Sequence, residues 1–448
     1  MKGLRPSVSA NSPVFPFSVF RFPLWRGVPV RGVVAALILA CLTVSAEVRH
    51  EEFERDGKKL VALENELYRL VFAPARGGRC SSFVIKANQR ELVYDGKNGG
   101  FFQDHFAHQG YPGELLKKAY HCELKRDGDR SVSIRLWTEA TGAGGRDPLT
   151  RGVEVSKTVT LENGDRAVRI ENAFHNPTEE GKNVGMWIQQ CFCYGGERLY
   201  DIYYRPSTHG VHVIGRDDTG HHPIGPVSDA YSADWVGVCK YTQAGGREPI
   251  AGWTAGRDRK NNEGGVFLLD YNYLDVLYNC SGSYTTEWWL DPVPLPPGKS
   301  WRTQYRFVPV NGFTGFAHAS HRIIGNTELE ATDTAVTIRH QFAGTTQPLG
   351  KLEINTRIYG IRSEKEASLP PITLTGVGLA PTPITQTWSK PQAEPVVARV
   401  TAKGEDWEES YEVIYAMASK QRHLAFAARI SENLACTASQ KSSRLMKG

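Results

Sequence analysis

The chain has 448 residues, with 53 Lys and Arg against 48 Asp and Glu, a formal net charge of +5. Beyond the first 46 residues the basic side chains are scattered among acidic ones, which excludes the dense cationic face of a nucleic-acid binder and a polybasic membrane patch. At about 100–200 residues per domain the length allows two or three domains with a sizeable core.

Residues 1–46 read as a signal peptide. Lys2, Arg5, Arg21, Arg26 and Arg31 precede any acidic residue, an apolar run follows from Val33 to Val44, and Val44-Ser45-Ala46 offers the small residues a signal peptidase cuts. The expected destination is periplasmic or extracellular. Ile38-Leu39-Ala40-Cys41 resembles a bacterial lipobox, so a lipid anchor at Cys41 is the alternative. No later stretch is apolar enough for a transmembrane helix. Seven cysteines follow residue 46, without CxxC spacing, and read as structural thiols.

From Glu47 onward the pattern is almost continuous β-structure. Val61 to Phe72 alternates and breaks at Pro74 and Gly77-Gly78; residues 99–113 read as an irregular loop able to line a cleft. The clearest hairpin lies between Gly152 and Phe174: Val153, Val155, Val159 and Leu161 share one phase, Asn163-Gly164 supplies positive-φ turn residues, and Val168, Ile170 and Phe174 resume. Residues 200–285 are rich in Tyr, Trp and Gly, with long loops. Trp301, Thr303, Tyr305 and Phe307 then alternate with Arg302, Gln304 and Arg306 in a strand with one buried face. A polar segment from His318 to Thr327 reads as a boundary, after which four candidate strands over 328–416 suggest a small immunoglobulin-like sandwich. Residues 417–448 read as a polar tail. The fold class expected is all-β, a large antiparallel β-supersandwich over 47–320 followed by a small immunoglobulin-like β-sandwich.

The chemistry concentrates at Thr285-Thr286-Glu287-Trp288-Trp289, where one carboxylate stands among aromatics, placed by its sequence near a strand end. Pyranose C–H faces stack on aromatic rings while a carboxylate accepts hydroxyl protons, so the stretch suits sugar recognition or sugar chemistry. A glutamate beside core tryptophans is the plainer reading.

Several pieces resemble the galactose mutarotase-like β-supersandwich superfamily. They are Leu63-Glu64-Asn65-Glu66-Leu67 with Pro74 to Phe83, Lys157 to Leu161 with Glu171 to Asn176, and Glu287 followed by Leu295-Pro296-Pro297-Gly298 and Tyr305-Arg306-Phe307. The resemblance covers roughly residues 55–320 and implies that Glu287 corresponds to the general base of an aldose 1-epimerase. The matching general acid is missing: where the epimerases carry a catalytic His, this chain reads Met186-Trp187-Ile188-Gln189-Gln190.

His105 on the early loop and His209 in the 208–222 cluster are candidate substitutes for that acid. The His and Asp residues of 208–222 match no metal-ligand spacing, and no cofactor or metal is expected. Trp187, Gln189, Gln190, Tyr204, Arg205, Trp235 and Trp288 are the candidate substrate-binding residues, with Trp289 among the other aromatics that could serve as platforms or as core. The resulting expectation is an exported protein that recognises carbohydrate in a cleft formed by 99–113, 187–194, 200–235 and 285–290. The alternatives are a sugar-active enzyme using Glu287 as base and a non-catalytic structural envelope protein.

Overall fold

The strand Glu154–Glu162 buries Val155, Lys157, Val159 and Leu161 and leaves the residues between them partly exposed, and its partner Val168–His175 buries Val168, Ile170, Asn172 and Phe174. Side chains two apart share a face of a strand, so one apolar phase suffices to lay each strand on a core. The two pair antiparallel, with Ile170 opposite Val159. Their connection is five residues long, 163–167; Gly164 alone there takes positive φ, +78°, while Asp165 accepts from the Ala167 amide at 2.8 Å.

In the computed structural model the described residues are 48–415, apart from 95, 97–98, 108, 110, 143–149, 197–200, 208–209, 216–235, 240–250, 281–284, 333, 361–365 and 390–394. The signal segment with Cys41, the tail 417–448, His209 and Trp235 therefore lie outside the described residues. Among the described residues no helix is long and apolar enough to cross a membrane.

The chain is all-β. A nine-stranded antiparallel sheet runs Gly210–Gly215, Asp201–Ser207, Trp253–Asp258, Glu263–Leu269, Ser300–Asn311, Val168–His175, Glu154–Glu162, Ser131–Glu139, His121–Asp127. Two five-stranded sheets cover it. One is the meander from Arg49 to Glu91; the other runs Val236–Cys239, Leu274–Cys280, Thr285–Leu290, Met186–Cys191, Gln103–Phe106. The core between the layers is aromatic at its centre. Phe307 packs against Phe267 at 4.6 Å, Phe83 at 5.4 Å and Phe101 at 5.6 Å, and a Cβ on Gly265 would come within 2.3 Å of the Phe307 ring.

Two further sheets form a sandwich over 318–415, with Ile323, Phe342, Leu352, Ile354 and Val400 in its interior. The polar stretch His318–Thr327 is largely strand: His318–Ala319 pairs with Ile323–Ala331. Ile324, Ala343, Phe313 and Phe316 join Tyr204, Trp253, Val308 and Val310 in a cluster on the outer face of the nine-stranded sheet. Arg166, buried in the turn before Val168, donates to the carbonyls of Thr345 at 2.5 Å, Leu379 at 2.7 Å and Gly344. Burial holds its guanidinium down at about 10. Arg166→Ala leaves three carbonyls without this donor and is expected to cost about 2 kcal/mol; scanning calorimetry should then resolve a separate, earlier transition for residues 318–415, and an unchanged single transition would show the clamp contributes nothing.

Candidate functional site

The strands Met186–Cys191 and Thr285–Leu290 are buried on both faces, apart from Trp289. Their inner residues, Ile188, Trp288 and Leu290, join the aromatic core. Their outer residues form two register rows across the sheet: Tyr278, Glu287, Gln189 and Gln103 in one, Val276, Trp289, Trp187 and His105 in the next. Seven polar or aromatic side chains from four strands thus share one surface. Glu287 lies inside its strand rather than at the end expected from the proline turn, since Trp288, Trp289 and Leu290 continue the pairing.

Glu287 is 2% exposed and takes three hydrogen bonds. Trp187 Nε1–H donates to Oε2 at 2.6 Å, Gln189 Nε2–H to Oε1 at 2.9 Å, and Thr285 Oγ–H also to Oε1. Burial pushes the carboxyl above its ordinary range, against the pull of the Thr285, Gln189 and Trp187 donors. Three donors fit the carboxylate form, and all three are neutral. Oε2, with one partner, keeps a free lone-pair direction, because each carboxylate oxygen accepts two bonds.

Three rings stand side by side on the sheet. Trp187 stacks on His105 at 4.4 Å and on Trp289 at 4.9 Å, with Tyr278 edge-on to Trp289 at 5.4 Å. Tyr111, 50% exposed, lies 6.0 Å from both His105 and Trp187. The tryptophans therefore pack on each other, and the open ring at the rim is Tyr111.

His105 Nδ1 lies 3.1 Å from the Pro112 carbonyl, which can only accept, so Nδ1 carries the proton and Nε2 presents a lone pair. Nε2 is buried without a partner, as is Gln189 Oε1. Burial, with smaller contributions from Lys157 and Arg79, holds the imidazole down at about 3 against the Pro112 bond. With Nδ1 donating to Pro112, Nε2 faces the site as an acceptor, where the sequence reading offered His105 as a candidate general acid. With roughly two strand spacings and one two-residue repeat between them, the Glu287 and His105 Cα atoms are about 12 Å apart, and the Trp187 indole fills the gap.

Four other expected binding residues lie elsewhere. Trp288 faces the core against Phe267 and Tyr305, and Trp289 takes the outer position. Gln190, also on the inner face, accepts from the Phe102 amide at 2.7 Å and holds that residue at φ +58°, a conformation costly for a non-glycine residue. It thereby holds the residue that leads into the strand Gln103–Phe106, which carries His105. Tyr204 packs edge-on against Phe316 at 5.2 Å under the second sandwich. Arg205, wholly buried, donates to the Leu277 carbonyl at 3.1 Å. Thr285, Tyr278 and Tyr111 are the site residues not singled out from sequence; Thr285 was legible as the residue two before Glu287 on the same strand face.

Behind the site, Asp104 turns away from His105 into the core. It accepts from Lys157 Nζ at 2.7 Å, Asn172 Nδ2 at 3.0 Å and Tyr120 O–H at 3.4 Å, with Lys157 and Asp104 fully buried. Burial lowers the Lys157 pKa and Asp104 opposes this. Lys157 also donates to the Phe102 carbonyl, tying the nine-stranded sheet to the turn that carries His105.

No protein-family model matches the chain, and no curated protein sequence matches it. Solved structures of galactose mutarotase-like proteins do match, the superfamily the sequence motifs resemble. A galactose mutarotase-like protein from Clostridium acetobutylicum is 11% identical, covering 59% of this chain and 99% of that one, with a TM-score of 0.43. An aldose epimerase homologue from C. elegans is 10% identical over 59% of this chain and 99% of that one, with a TM-score of 0.36. A TPR-domain containing protein from Parabacteroides distasonis is 13% identical over 56% of this chain, with a TM-score of 0.42; this chain spans 47% of its length.

Proposed function

We propose that the outer face of the Thr285–Leu290 and Met186–Cys191 strands is a carbohydrate-recognition site of an exported protein. The observation that carries this reading is the pair of buried acceptors without a donor, Gln189 Oε1 and His105 Nε2, on the same face as the Glu287 carboxylate and a ladder of aromatic rings ending at the exposed ring of Tyr111. Buried acceptors without donors are costly, and a ligand rich in O–H groups supplies those donors while its C–H faces cover the rings. Recognition is favoured over anomer interconversion because the Glu287 carboxylate and the His105 Nε2 both accept. Opening a hemiacetal needs a base at the anomeric hydroxyl and an acid at the ring oxygen. His105 held as a neutral lone-pair donor does not supply the acid.

Saturation-transfer NMR at the anomeric protons of a monosaccharide panel, run beside glycan-binding measurements, separates the readings. Wild type is expected to bind glycan while leaving anomer exchange at the buffer rate. Glu287→Gln is expected to weaken binding about 10–100-fold, the loss of one hydrogen bond to a charged group. Exchange accelerated by wild type and abolished in Glu287→Gln would replace recognition by catalysis, and binding to no glycan would end the carbohydrate reading.

A further inference from the structure

We infer that the sugar taken by this site carries a free amino group, held as an ammonium at the Oε2 side of Glu287; the inference rests on the carbohydrate reading above. Every partner of the Glu287 carboxylate among the described residues is neutral: an indole N–H, an amide N–H and a hydroxyl. A buried anion held only by neutral groups keeps its charge uncompensated, and a cationic donor on a ligand gains more from it than a hydroxyl does.

The hydrogen-bond inventory agrees. An ammonium has three N–H donors and no acceptor, whereas a hydroxyl brings one donor and two lone pairs that need donors of their own. Glu287 Oε2 takes one hydrogen bond, from Trp187, and a carboxylate oxygen can accept a second, while the unpartnered Gln189 Oε1 belongs to the side chain that bonds Glu287 Oε1 at 2.9 Å. These are two acceptors on adjacent side chains of one row. His105, in the next row, is kept uncharged by its burial, against the opposing pull of its Nδ1 bond to Pro112, so it does not repel the ligand's charge. Its Nε2, at the other end of the ring ladder, is left to accept a sugar hydroxyl.

The test is calorimetric titration of the full chain with tetrasaccharides of β-1,4-linked glucosamine, N-acetylglucosamine and glucose, which share a backbone and differ at one substituent. The glucosamine oligomer is expected to bind at least about tenfold tighter than either neutral one. That ratio should fall towards one in Glu287→Gln, and also in wild type as pH rises past the ligand amine's own pKa. It should persist in about 0.5 M salt, because a buried pair is screened little. Should Glu287→Gln fail to fold, the pH and salt series on wild type decide the matter. Equal binding of the three oligomers overturns the amino preference and leaves carbohydrate recognition standing, and a preference erased by salt overturns it as surface attraction. Binding of none overturns both.

Discussion

Lys157→Met is expected to lower the unfolding free energy by about 3–5 kcal/mol, the cost of leaving a buried charge without its partner. Asp104 would keep only Asn172 and Tyr120 as donors, at 3.0 and 3.4 Å, in a site with no exposure. The Phe102 carbonyl would lose its lysine donor at the same time. The double variant Lys157→Met with Asp104→Leu should recover most of the loss, because replacing a buried pair with packed apolar groups is often neutral. Urea unfolding of the wild type and the variants, analysed as a double-mutant cycle, measures this. If the double variant is as damaged as the single one, packing rather than uncompensated charge is the cause. Since Lys157 and Gln190 both hold Phe102, loss of glycan binding in a folded Lys157→Met would also place the core pair upstream of His105.

Acidification should destabilise the protein well above the usual carboxylate range. The folded state holds His105 at about 3 and His340 at about 4, against the ordinary 6.5 of an unfolded chain. The unfolded state therefore binds protons first as pH falls below 6.5, and stability is lost progressively until pH passes the folded values. For His105 the full span amounts to roughly 4–5 kcal/mol. Glu287 works the other way: its raised folded value makes protonation favour the folded state, which offsets part of the loss above pH 4.5. His105→Phe keeps a ring against Trp187 and removes the titration, so the slope of unfolding free energy between pH 6.5 and 4.5 should flatten by up to about 1.4 kcal/mol per pH unit. An unchanged slope would mean that the folded site admits a proton on His105.

Strand phase was legible wherever one face of a strand meets core and the other meets solvent. Val155, Val159 and Leu161, and Thr303, Tyr305 and Phe307, stand where their alternation puts them. Phase failed at the site for a physical reason: the strands Met186–Cys191 and Thr285–Leu290 are buried on both faces, so polar and apolar residues do not alternate along them. Period two says that Glu287 and Trp289 share one face and Trp288 and Leu290 the other, but not which face is the core. Trp288 and Gln190, which the structure turns to the core, were accordingly named as binding candidates beside their outward neighbours, and Tyr204 was read as a platform because nothing local announces that a second sandwich covers it. Lys157 carried a signal of its own, a charge in the apolar phase of a strand.

The sequence by itself determined an all-β chain and the central hairpin and singled out Glu287 as a candidate, because alternation, turn residues and a lone carboxylate among aromatics are local properties. Only the tertiary structure decided the neighbours of that carboxylate. Antiparallel pairing in register brings Gln189 beside Glu287, and Trp187 beside His105, across gaps of about a hundred and eighty residues in all. Burial, a property of the assembled layers, likewise sets the imidazole of His105 against Trp187 with its Nδ1 on the Pro112 carbonyl.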